Sequence, residues 1–202
     1  MDGVLVDVTK SYRAAIQKTA QYFLQRRVAM AEVDAIKQCV GMNNDWDASY
    51  ALIGNKKINY LDVKNVFQKL YLGDRKNKGL INNERLLLSK ENLTLLKKAY
   101  GLFGIVTGRP REEALFTLKR FGILKLFSVV VALEDSKLQK PNPDPLFLAL
   151  KKLKSTNPIY IGDSVSDVAA ANAANIPCIY VGKQNIGTYT CSSMSQVVSL
   201  LL

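Results

Sequence analysis

Histidine is absent from all 202 residues, and that one absence removes a large block of chemistry. Ser-His-Asp and Cys-His catalysis in their usual forms are excluded, and zinc loses a common ligand. Acid–base work falls instead to carboxylates, lysine or tyrosine. Cysteine is scarce as well. Cys39, Cys178 and Cys191 are odd in number and form no C-x-x-C pair, so reduced intracellular thiols are expected, not a disulfide framework or a zinc site. No apolar run is long enough to span a bilayer. The opening Met1–Asp7 lacks a basic n-region and carries acids, so neither a signal peptide nor a membrane partner is expected, and the location expected is cytoplasmic.

Acidic residues are few: 17 Asp and Glu stand against 28 Lys and Arg, a net charge of +11. The basic residues fall in small scattered groups, Lys56-Lys57, Arg75-Lys76, Lys97-Lys98 and Lys151-Lys152. They are not interleaved with aromatics as a base-stacking platform would be, so solvated helix faces are expected and nucleic acid is not the expected target. A positive field of this kind also steers small anions such as phosphate esters.

What is present is ordinary for a globular chain: 48% hydrophobic and 22% charged residues, enough for one domain, or one domain with an insertion, around a real core. Tyr12, Ile16, Ala20 and Phe23 recur at helical spacing after a possible Thr9 cap. Further helices are expected at 31–40, through about Leu52, and at 61–72, with a turn-rich break at 41–45 and loops at 53–59 and 73–83. From residue 84 the pattern changes. Helices at 84–100, 110–121, 144–153, 164–175 and 193–202 alternate with short apolar strands at 102–106, 128–133, 159–161 and 177–181. That alternation predicts an α/β fold with a doubly wound parallel sheet. The predicted division is a core of residues 1–9 and 84–202 with an all-helical insertion at 10–83, which at about 75 residues is too long for a loop.

In such sheets ligands sit beyond the carboxyl ends of the strands. The strand ends here carry Thr107-Gly108-Arg109, a loop with Lys137 and Lys140-Pro141-Asn142-Pro143, and Gly162-Asp163-Ser164-Val165-Ser166-Asp167, while the chain opens on Asp2-Gly3. A hydroxyl, a lysine and carboxylates on one edge are the parts for holding phosphate and a divalent cation.

In order and spacing these four segments resemble the four motifs of the haloacid dehalogenase superfamily. They are similar in particular to its phosphoglycolate phosphatase-like subfamily, in which a helical cap follows the first motif. The resemblance covers essentially the whole chain and implies a Rossmann-like hydrolase core, magnesium as cofactor, and a small phosphorylated substrate. In the family an aspartate attacks phosphorus to form an aspartyl-phosphate. A second aspartate, two residues on and on the same side of an extended chain, moves the leaving-group proton. Asp2 matches this acid–base residue, and its carbonyl matches a magnesium ligand. Asp163 matches the magnesium-binding carboxylate, and Asp167, four residues on, a holder of metal-bound water or of the lysine. Thr107 and the Gly108 N–H would bind the phosphoryl group, and Lys140 would balance its charge. Each has a plainer alternative: Asp163 or Thr107 as a helix cap, Lys140 as an exposed loop lysine, Arg109 as a substrate contact or a surface residue. In the insertion, Asn44 and Trp46, in the turn with Asn43 and Asp45, are candidate substrate contacts or simply a cap and a core residue.

The matched nucleophile would lie immediately before Met1, at the end of a strand whose loss would leave two sheet neighbours with unpaired backbone. An upstream strand ending in Asp is therefore expected. The implied activity is a phosphomonoester phosphatase acting as monomer or homodimer. A phosphomutase of the same superfamily and a non-catalytic phosphate-binding or regulatory protein are the alternatives.

Overall fold

The apolar period of four at Tyr12, Ile16 and Ala20 folds as α1 (Tyr12–Leu24), with those residues on its buried face. The coordinates are those of a computed structural model and describe residues 1–202 except Val40 and Asn43. The chain divides into two compact units, one of residues 1–6 and 86–202, the other of residues 7–85.

The second unit is helical. After α1 come α2 (Met30–Lys37), α3 (Asp45–Ile53) and α4 (Tyr60–Leu72). The helix expected over 31–40 thus ends earlier, and Val40 lies outside the described residues. Ser11, not Thr9, occupies the position before α1. The Thr9 amide instead donates to Asp7 Oδ1 at 2.9 Å. Asn44 caps α3 by accepting from the Trp46 amide, and Gly54 ends that helix in the left-handed region. The core joins Ile16, Val33, Ala48, Val63, Phe67 and Tyr71, with Tyr12 stacked on Tyr71 at 4.1 Å between ring centroids.

Where the chain passes between units it forms β1 (Val6–Asp7) and β2 (Arg85–Leu86), which pair with each other. The helix predicted over 84–100 is corrected by this. Residues 85–86 are extended, and α5 (Lys90–Tyr100) begins only after Ser89, whose side chain accepts from the Asn92 amide. A serine cap with an extended backbone terminates the helical pattern more sharply than apolar spacing reveals.

The first unit then alternates as expected: β3 (Gly104–Val106), α6 (Arg111–Arg120), β4 (Val129–Val131), α7 (Asp144–Leu153), β5 (Tyr160–Gly162), α8 (Val165–Ala173), β6 (Cys178–Val181), β7 (Tyr189–Cys191) and α9 (Met194–Leu201). β7 is the one strand here that sequence reading does not anticipate, because two of its three residues are exposed and carry no apolar run. β3 pairs with β4, β5 with β6, and β6 with β7, all parallel. This is the parallel α/β architecture, with α7 and α8 packing Leu146, Ala149, Val168 and Ala171 against Val106, Val131, Cys178 and Tyr180. Among the described residues no ladder joins β3 to β5.

Candidate active site

Of the predicted residues, those of the first unit gather around the carboxyl ends of β3 and β5. Thr107 follows β3 directly. Its amide donates to Val131 O at 2.9 Å, extending the ladder by one bond, and its buried Oγ1 accepts from the Arg109 amide at 3.2 Å. The helix-cap alternative for Thr107 is set aside, because the residue at the start of α6 is Pro110. Helix α6 still directs its positive end toward Thr107 and Gly108, where an anion would be favoured.

Arg109 is buried, which sets aside the surface alternative. Its side chain is 1% exposed. Nε donates to Asp2 Oδ1 at 2.6 Å, Nη2 lies 2.5 Å from the same oxygen, and Nη1 donates to Thr117 Oγ1 at 3.0 Å. It is a buried partner of Asp2 and not a surface residue.

Gly3 follows, at φ +63°, and a Cβ there would lie 1.8 Å from Asp163 Oδ2. The Asp163 carboxylate therefore rests against the Gly3 backbone. Because Asp2 meets Arg109 after β3 and Gly3 meets Asp163 after β5, residues 1–3 run between the carboxyl ends of those two strands.

Asp163 is not a helix cap; Ser164 holds that position for α8, accepting from the Asp167 amide. Burial, and then the neighbouring Asp167, push the Asp163 carboxyl up to about 6. A carboxylate crowded by like charge in a partly buried site favours a cation beside it.

Asp167 is used differently. Its Oδ2 accepts from the Asp163 amide at 3.2 Å, the Ser164 amide at 3.2 Å and Ser164 Oγ at 2.8 Å. Its Oδ1 accepts from Lys140 Nζ at 2.6 Å and Tyr160 OH at 2.8 Å. Burial would raise this carboxyl, but Lys140 outweighs it and holds the group well below the ordinary range. Of the two functions sequence reading gives Asp167, holding the lysine is the one these bonds describe. Close approach is possible because residue 162 is glycine: a Cβ there would sit 2.3 Å from the Asp167 Cβ.

Lys140 is not an exposed loop lysine; its side chain is 10% exposed. Burial works against the ammonium, yet Asp167 and Tyr160 outweigh it and keep the lysine charged beyond its ordinary range. Tyr160 and Ser164 are the site residues sequence reading misses. The signal for Ser164 was available in the Ser-x-x-Asp capping box. For Tyr160 only strand alternation hints at it, since residues 160 and 162 share a face.

Asn44 and Trp46 have partners inside the helical unit. Asn44 caps α3, and Trp46 packs on that unit's core beneath Lys64 Nζ, 3.8 Å from the ring centroid. Asn43 lies outside the described residues.

Among the described residues no three His, Cys, Asp or Glu side chains cluster closely enough to hold a metal by themselves. Magnesium asks for less: one or two carboxylates, with water and substrate oxygens completing six positions. The hard oxygens of Asp163 and the Asp2 carbonyl suit it. No helix among the described residues is long and apolar enough to cross a membrane.

Over 206 residues the chain is 35% identical to an imidazoleglycerol-phosphate dehydratase of Phytophthora nicotianae, covering 97% of this chain and 44% of that protein. It is 38% identical over 78 residues to a phosphoglycolate phosphatase of Yersinia pseudotuberculosis, covering 38% of this chain and 34% of that one. The chain thus spans less than half the length of these two curated relatives. A crystal structure of a predicted phosphoglycolate phosphatase from Haemophilus somnus superposes with a TM-score of 0.78 at 18% identity, covering 100% of this chain and 95% of that one. The family model for haloacid dehalogenase-like hydrolases matches residues 1–181, and the chain belongs to that family.

Proposed function

We propose that this chain carries most of the active site of a magnesium-dependent hydrolase of small phosphate monoesters. The observation that carries the reading is the convergence of Asp2, Thr107, Lys140 and Asp163 at the ends of β3 and β5, joined there by the pair Asp2–Arg109 and the close approach of Gly3 to Asp163.

In this reading Thr107 Oγ1, the Gly108 amide and Lys140 Nζ receive the phosphoryl oxygens. Asp163 and the Asp2 carbonyl would hold magnesium, which would offset the negative charge that builds up in the transfer. The nucleophile is an aspartate immediately upstream of Met1. Its carboxylate oxygen forms a bond to phosphorus as the bond from phosphorus to the leaving oxygen breaks, and Asp2 gives that oxygen its proton. Water then attacks the same phosphorus as the bond from phosphorus to the nucleophile's oxygen breaks, Asp2 takes a proton from that water, and inorganic phosphate leaves with the carboxylate restored.

An upstream strand is supported by two features. β3 and β5 carry no ladder to one another, and residues 1–3 run between their ends, so a preceding segment would lead back between them. The helical unit is proposed as the cap that selects substrate, with Asn44 and Trp46 as its candidate contributions.

The test is phosphate release, with magnesium, from phosphoglycolate, pyrophosphate, imidazoleglycerol phosphate and a generic aryl phosphate. This chain is compared with one extended upstream by its own coding sequence. Activity in the extended form that is lost in Asp163→Asn supports the reading. Activity in neither form, with phosphate still bound, favours a binding or regulatory protein, and sugar-phosphate isomerisation without phosphate release favours a mutase.

A further inference from the structure

We propose that Tyr160 is a positioning residue for phosphate binding, acting through Lys140; the proposal rests on the phosphatase reading above. Tyr160 opens β5, and its hydroxyl closes a three-membered ring of contacts. It accepts from Lys140 Nζ at 3.0 Å and donates to Asp167 Oδ1 at 2.8 Å, the oxygen that also accepts from Lys140 at 2.6 Å.

An ammonium on a four-carbon stem has many rotamers, and a single carboxylate leaves it free to swing about that contact. Two acceptors fix Nζ in direction as well as distance. Asp167 is itself immobilised by the Asp163 and Ser164 amides and by Ser164 Oγ. The anchor is therefore rigid before any ligand arrives. Strand geometry supplies the phenol at the right place: residues 160 and 162 share a face of β5, with the tyrosine reaching over the ring of contacts while Gly162 clears the space into which Asp167 packs. A phenylalanine at 160 would fill the same volume and remove one of the acceptors that hold Lys140 beside Asp167.

The experiment uses Tyr160→Phe, which removes one atom and keeps the ring packing. Two readouts are taken on the whole chain. The first is labelling of Lys140 by acetic anhydride, followed by peptide mass spectrometry with the exposed Lys125 as internal reference. Loss of one hydrogen bond to the ammonium is expected to raise Lys140 labelling about three- to tenfold. The second is calorimetric affinity for inorganic phosphate with magnesium. It is expected to fall by a similar factor when Lys140 is present and to be unaffected by Tyr160→Phe in a Lys140→Met background. Unchanged labelling, or an equal loss of affinity in both backgrounds, overturns the proposal. If labelling rises but the unsubstituted chain binds no phosphate, the hold of Tyr160 on Lys140 stands and the phosphatase reading falls.

Discussion

Asp2 and Arg109 meet across 107 residues of sequence, two guanidinium nitrogens converging on the single oxygen Oδ1 of the aspartate. Arg109 is buried while the Asp2 side chain is 31% exposed, so the two partners of this pair differ in what they lose when it is broken. Removing the Asp2 charge takes an ionised acceptor from a buried guanidinium; removing Arg109 leaves a carboxylate that water can reach.

Asp2→Asn is accordingly expected to destabilise the chain by about 2–3 kcal/mol in urea unfolding. That lies below the cost typical of a fully buried pair because water screens one side. Arg109→Lys should also destabilise the chain, since an ammonium cannot reach both Asp2 and Thr117 as the guanidinium fork does. The double substitution Asp2→Asn with Arg109→Gln should cost less than the sum of the single ones. Strict additivity would show that the pair is not energetically coupled.

Asp163 predicts an unusual pH dependence. Its folded carboxyl is pushed up to about 6 by burial and by Asp167, so between about pH 4 and 6 the folded chain binds a proton that the unfolded chain has released. Stability should therefore fall as pH rises through that window, by on the order of 2 kcal/mol without divalent cations. Asp163→Asn should flatten this slope and raise the midpoint temperature at pH 7, while weakening magnesium binding. Thermal melts across pH 4–8, with and without magnesium, read both effects. A melt of the unsubstituted chain that stabilises steadily over pH 4–7 would contradict the assignment.

Gly3→Ala tests the contact that joins residues 1–3 to β5. The new Cβ would meet the Asp163 carboxylate at 1.8 Å from a backbone at φ +63°, which combines a clash with left-handed strain. A loss of about 2 kcal/mol is expected, with reduced magnesium affinity because Asp163 is pushed aside. Wild-type magnesium affinity in Gly3→Ala, measured calorimetrically, would separate Gly3 from the cation site.

In the helical unit the buried Glu84 accepts from Ser11 Oγ at 3.1 Å and Tyr71 OH at 3.0 Å, both at Oε1. Tyr71→Phe keeps the ring stack with Tyr12 and removes one donor to a carboxylate. It should cost about 1–2 kcal/mol, and Ser11→Ala a comparable amount. Urea midpoints of the two variants check this; a neutral result in both would show that Glu84 draws its stability from elsewhere.

Much of the site was legible because its parts are local. Thr107-Gly108, Lys140 and Asp163 to Asp167 each follow an apolar strand, and the ends of parallel strands share one edge. Spacing of four residues at Asp163 and Asp167 placed both carboxylates near one helix start. The errors came where local pattern and tertiary demand part. Residues 84–89 carry apolar residues that suit a helix, yet 85–86 extend because β1 is there to pair with. Tyr189 to Cys191 show no strand pattern, yet form β7 because β6 offers a free edge.

By itself the sequence determined the α/β alternation, the family, and which short segments carry chemistry, since these depend on periodicity and on residue types at fixed offsets along the chain. Only the tertiary structure decided the partners. It buried Arg109 against Asp2, filled both oxygens of Asp167 with protein donors, and brought Tyr160 over Lys140. Such pairings join residues 20 and 107 positions apart. They depend on which strand ends are neighbours in space, a relation that no spacing within one segment encodes.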